Sequence, residues 1–82
     1  MENVNRKISV EFLENKGFIE KRIFDRVFYV KNIVAITFDT RVNVWVLCLI
    51  INNEIRYMSP PLYIEYEDEL MKYYHICTGK ML

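Results

Sequence analysis

Apolar side chains change their spacing twice along this chain. They are sparse and helically spaced up to residue 16, alternate or run together from 18 to 58, and return to helical spacing from 66 onward. Residues 1–7 are polar and read as a flexible lead-in. Ser9 is placed to cap a short helix over 9–16, because its hydroxyl can accept an orphan backbone N–H of the first turn. Ile8 and Leu13 stand at staple spacing around that cap. Val10, Leu13 and Phe12 form the expected buried face, and Gly17 followed by Phe18 supplies a left-handed stop.

The middle of the chain reads as strands. Residues 18–24 and 27–30 are rich in aromatic and β-branched side chains and are separated by Asp25-Arg26. Asn32 interrupts, 33–38 forms a further strand, and Asp39-Thr40-Arg41 turns. The strongest strand is 42–51. Asn52-Asn53 suits a two-residue hairpin, since Asn tolerates positive φ. Residues 54–58 return, and Pro60-Pro61 is expected to end that strand because proline offers no ladder donor. A closing helix is predicted from 66 to 78, with Leu70, Tyr73, Tyr74 and Cys77 on one side. Glu67, Asp68 and Glu69 lie in its first turn, where the macrodipole favours negative charge, and Gly79 stops it. The prediction is one α+β domain over residues 1–82: a small antiparallel sheet of four to five strands, flanked by a short N-terminal helix and a longer C-terminal one.

Strand 42–51 is apolar on both faces. Val44, Val46, Cys48 and Ile50 alternate with Trp45, Leu47, Leu49 and Ile51. Such a strand belongs in the middle of a covered sheet. Two short helices cover one face, so the other must be closed by strong sheet curvature, by a second copy in a homodimer, or by a partner.

Composition narrows the classes of function. Hydrophobic residues make up 52% of the chain and aromatics 15%, which excludes a disordered chain. Eleven Lys and Arg balance eleven Asp and Glu, so a general cationic coat for nucleic acid is absent. Charged residues interrupt the N-terminus, and the apolar run 44–51 is far shorter than a membrane helix needs. The expectation is a soluble cytoplasmic protein without membrane contact, its thiols Cys48 and Cys77 free. One histidine, His75, and two cysteines fall short of a zinc site. Cys48 lies in the most apolar strand, where a thiol is inert. Ser9 is taken as a cap and Ser59 precedes two prolines, and two glycines cannot build a phosphate loop. No catalysis, metal or cofactor is expected.

Two constellations remain as binding candidates. Lys21, Arg22, Arg26 and Lys31 interleave with Phe24, Phe28 and Tyr29, a pattern that suits single-stranded RNA or DNA and equally an amphipathic edge hairpin. Glu65, Glu67, Asp68 and Glu69 surround Tyr66, either as a docking edge for a protein or as favourable charges at a helix start. Trp45, with Tyr57 and Tyr63, is either an interface anchor or core.

At the C-terminus Tyr66, Leu70, Tyr74, Thr78, Gly79 and Leu82 follow a pattern that resembles the closing helix of small uncharacterised proteins from Bacteroidetes phages and prophages. The segment 12–18, a short helix ending in Gly17-Phe18, is similar to the same family's N-terminal element. The resemblance covers about a third of the chain and rests on helix, cap and core residue types. It implies a mobile-element context. By analogy with phage proteins of known role, it further implies an inhibitor of a host defence nuclease complex, anti-CRISPR proteins included. The expected partner is then a host protein or ribonucleoprotein, such as a CRISPR effector, met by Glu65, Tyr66, Glu67, Asp68, Glu69 and Trp45. The alternatives are a nucleic-acid module acting through Lys21, Arg22, Phe24, Arg26, Phe28 and Lys31, and a structural homodimer.

Overall fold

The computed structural model describes residues 6–82. Helix α1 (Val10–Asn15) is followed by strands β1 (Ile19–Ile23), β2 (Arg26–Lys31), β3 (Val34–Asp39), β4 (Val44–Ile51) and β5 (Glu54–Ile64), and by helix α2 (Glu67–Thr78). The five strands form one antiparallel meander in chain order. The α+β architecture expected from the sequence is the one found.

Local chemistry sets the ends of both helices. The Ser9 hydroxyl accepts the Phe12 N–H at 3.1 Å. At the other end of α1, Gly17 takes φ 93°, and the Gly17 and Phe18 N–H groups donate to the Glu14 and Leu13 carbonyls at 3.1 and 2.9 Å. That is a Schellman stop, with Leu13 and Phe18 buried together beneath it. Gly79 ends α2 at φ 74°. Val10 departs from expectation: it occupies the first helical position, overhangs the core and is 41% exposed. Of the segment expected to be flexible, residues 1–5 lie outside the described residues. Arg6 and Lys7 are held: the Arg6 carbonyl accepts the Glu67 N–H at 2.7 Å, and Lys7 bridges Tyr66.

Two turns differ from the reading of the sequence. The first hairpin turns on Phe24-Asp25 rather than Asp25-Arg26, because Ile23 pairs with Arg26 and leaves two residues at φ 51° and 63° between them. Strand β5 runs through the two prolines instead of ending at them. Leu47 pairs with Leu62 while Cys48 pairs with Tyr57, so residues 58–61 bulge out of the ladder. A bulged residue needs no ladder donor, and that is where proline is tolerated. The Ser59–Pro60 peptide is cis.

Both helices lie on one face of the sheet. Leu13, Phe18, Leu70 and Tyr74 pack there against Tyr29, Val34, Ile36, Trp45, Leu47 and Ile64. Phe18 meets Tyr74 edge to face at 6.1 Å. Lys31 ties this layer together: its ammonium donates to the Lys16 carbonyl at the end of α1 at 2.6 Å and sits over the Tyr74 ring. The opposite, helix-free face carries a smaller core of Phe28, Ala35, Val46 and Cys48, flanked by Ile23, Val30, Ile50 and Ile55. Those four central residues are buried within the single chain. Curvature accounts for this. Ile23 and Phe28 of the first hairpin and Ile55 and Tyr57 of the last line one cleft, although β3 separates the two hairpins in the sheet. The sheet therefore curls its two ends toward each other on this side.

Candidate functional site

The acidic stretch at the start of α2 is largely committed to the fold. The Glu69 carboxylate accepts the backbone N–H groups of Glu65 and Tyr66 at 2.8 and 3.0 Å, which caps the helix. Glu65 pairs with Lys7 at 3.4 Å. Tyr66 is the N-cap residue and is half-buried. Glu67 and Asp68 remain, the first half-buried and the second exposed. Trp45 is 7% exposed, its indole N–H donates to the Ile8 carbonyl at 3.3 Å, and its ring meets Tyr29 and Phe38 edge to face. It holds the chain that leads into α1 against the sheet. The residues expected to form one docking edge thus divide into a cap, an ion pair and a core tryptophan, with the Glu67 and Asp68 side chains unpaired among the described residues.

The basic and aromatic set also divides, and the strand register decides how. Alternation places Lys21 opposite Phe28, and Ile23 opposite Arg26, on the helix-free face. Arg22 pairs with Val27 and belongs to the helix-covered side, where Tyr29 is buried in the core and out of reach of a base. Lys31 is engaged beneath α1, as described above. Phe24 stands at the hairpin tip, 99% exposed and at positive φ. Lys21, Phe24, Arg26 and Phe28 are therefore brought together, while Arg22 and Lys31 are sent elsewhere.

The last hairpin completes the site. Across the curl, Ile55 and Tyr57 face Ile23, Phe24, Arg26 and Phe28, enclosing a cleft of about 550 Å³. That is a volume typical of small-ligand sites. The floor is apolar, with Phe28 fully covered and Ile23 and Ile55 half-buried. Its walls are aromatic: Phe24 on one side and Tyr57, 51% exposed, on the other. Arg26 adds the one cation that lines the cleft. Sequence reasoning placed Tyr57 with Trp45 and Tyr63 rather than with the basic hairpin. The pairing of Tyr57 with Cys48 is the signal that sets it on the helix-free face, and the curl that carries it to Phe24 is non-local.

A second opening lies beside α1. The β2–β3 ladder pairs only from Tyr29–Ile36 to Lys31–Val34. Beyond it the Thr37 hydroxyl donates to the Val27 carbonyl at 2.8 Å. The strands part around a cleft of about 450 Å³ bordered by Val10, Val27, Phe38 and Trp45.

Burial pushes the Cys48 thiol up to about 11, against a weaker downward pull from Arg26. Burial also raises Cys77. His75 is exposed on α2. Asp39 accepts two side-chain hydrogen bonds from Arg41 at 3.1 and 2.9 Å and one from its backbone N–H at 3.0 Å. These bonds hold its carboxyl below the ordinary carboxylate range. Among the described residues no group of three or more His, Cys, Asp or Glu is placed to hold a metal ion, and no helix is long and apolar enough to cross a membrane. Compared with protein-family models, curated proteins and solved structures, the chain matches none.

Proposed function

We propose that the chain is a non-catalytic binding protein of a mobile genetic element, and that it docks on a host nucleoprotein complex through its helix-free sheet face. One observation carries the choice of face. Two hairpins that are distant in the sheet converge on an open cleft with aromatic walls, and one of those walls is a fully exposed phenylalanine held at positive φ. Apolar and aromatic surface left in water at a concave site is the usual mark of a binding surface. The mobile-element setting, and within it inhibition of a host defence nuclease of the anti-CRISPR kind, is supported by the resemblance of the two chain ends.

The test is comparative capture from a lysate of a Bacteroidetes host, using the tagged chain and two variants. A stoichiometric partner should be lost with the double variant Phe24→Ala and Tyr57→Ala, and retained with Glu67→Lys and Asp68→Lys. The reverse pattern would move the docking site to the acidic end of α2 and overturn the assignment of the face.

A further inference from the structure

We infer that the occupant of the cleft is single-stranded nucleic acid, with one base inserted between Phe24 and Tyr57 over Phe28 and the neighbouring phosphates held by Arg26 and Lys21. The inference rests on the helix-free face being the docking surface. It adds the chemical class of what docks there.

Charge sidedness carries the argument. The chain is neutral overall, yet its charges are not mixed evenly. Lys21 and Arg26 project from the helix-free face, and among the described residues neither forms an ion pair. Near that face Asp39 is matched by Arg41 at 2.9 Å and Glu54, at the rim of the cleft, by Arg56 at 3.1 Å, while Asp25, at the hairpin tip between Phe24 and Arg26, is the one acid there outside an ion pair among the described residues. The remaining acids of the second half, Glu65, Glu67, Asp68 and Glu69, gather at the start of α2, which packs on the other side. Arg26 thus lines an apolar slot with two aromatic walls, Lys21 stands beside it on the same face opposite Phe28, and neither cation is held in an ion pair among the described residues. Exposed aromatics stack on any base, and adjacent cations follow the backbone. An acidic peptide would use the cations and leave the aromatic slot empty. An apolar peptide would fill the slot and leave Lys21 and Arg26 unmatched. A single strand uses both. A duplex does not, because its bases are already stacked and unavailable to the slot.

The probe is a fluorescein-labelled oligodeoxythymidylate of ten nucleotides, read by anisotropy, with a ten-base-pair duplex as comparison. Binding to the single strand is expected, with the duplex weaker. Two phosphate contacts give a salt slope of about −1.4, hence about sevenfold weaker binding from 50 to 200 mM salt. Phe24→Ala and Tyr57→Ala should each weaken binding by about 5- to 150-fold, the range for loss of one stacked base. Arg26→Gln and Lys21→Gln should each flatten the salt slope by about 0.7. His75→Ala, on the far side, should change nothing. Circular dichroism of each variant establishes that it is folded, and Phe24 and Lys21 are exposed positions whose loss removes no core contact.

Three results overturn the inference. The first is failure to bind the oligonucleotide while the lysate partner survives nuclease and still needs Phe24 and Tyr57; this leaves the docking face standing and makes its occupant a protein. The second is a concentration-dependent dimer abolished by the same double variant, which makes the occupant a second copy. The third is oligonucleotide binding that is insensitive to all four cleft substitutions.

Discussion

Phe24 is the first central residue of a two-residue hairpin turn, at φ 51°, with Asp25 next at φ 63°. The left-handed region costs an ordinary L-residue about 1–2 kcal/mol, and Asn enters it several-fold more readily than most. The protein contains its own reference: Asn52 and Asn53 make the β4–β5 turn at φ 54° and 64°. Phe24 is 99% exposed, so its ring contributes no burial to offset the strain. Phe24→Asn should therefore stabilise the fold by about 1 kcal/mol, which for a domain of this size raises Tm by about 4–8 °C. Thermal unfolding followed by circular dichroism, with urea unfolding to confirm an unchanged m-value, measures this directly. The same substitution removes a wall of the cleft, so binding should fall as stability rises. That opposition is the signature of backbone strain retained for function. A Phe24→Asn protein that melts at or below the wild-type temperature would refute the reasoning, because the ring would then be packing against something.

Other substitutions test the supports of the site. Thr37 is 1% exposed, and its hydroxyl is the bond that spans β2 and β3 where their ladder stops; Thr37→Val should cost about 1–3 kcal/mol in urea unfolding by leaving the Val27 carbonyl unpartnered. Glu69→Ala removes the acceptor of two backbone N–H groups at the start of α2 and should cost about 1–2 kcal/mol, whereas Asp68→Ala, exposed and unbonded among the described contacts, should change stability little; equal effects from the two would contradict the capping role. The Asp39 carboxyl is held low chiefly by its hydrogen bonds to Arg41. Its contribution is therefore fully present above the unfolded-state value of about 3.9 and is lost as pH falls through the lower folded-state value. Denaturation midpoints measured from pH 6 down to pH 2 should fall less steeply in Asp39→Asn than in wild type, and parallel curves would contradict the assignment.

The features legible in the sequence are those that local physics decides. Ser9, Gly17, Gly79 and the Asn52-Asn53 turn each act within a few residues, and each does in the structure what its chemistry dictates. The first turn lies one residue earlier than propensity indicates, because Phe at positive φ runs against propensity. The prolines misled for a different reason. Their missing N–H groups forbid a ladder position, but a bulge removes the demand for a donor, and only the β4–β5 register reveals the bulge. The two-faced apolar strand was readable, yet its three possible covers were not separable by pattern. Sheet curl is a sum of twists over five strands, and it brings Tyr57 to Phe24 across the width of the sheet. The candidate site was legible in half for the same reason. Period-two alternation puts Lys21 with Ile23 and Arg22 with Phe24; the register keeps the first pair, lifts Phe24 into the turn and so brings Arg26 and Phe28 to the face of Lys21, whereas the engagement of Lys31 with Lys16 and Tyr74 depends on where two helices pack.

Amide chemical-shift mapping of the isotopically labelled chain, titrated with the ten-nucleotide oligodeoxythymidylate, tests the central claim most directly. The account predicts progressive shifts confined to residues 21–28 and 53–57, the two hairpins that form the cleft, with α2 unmoved. Shifts centred on Glu67 and Asp68, or none at either hairpin, would contradict it.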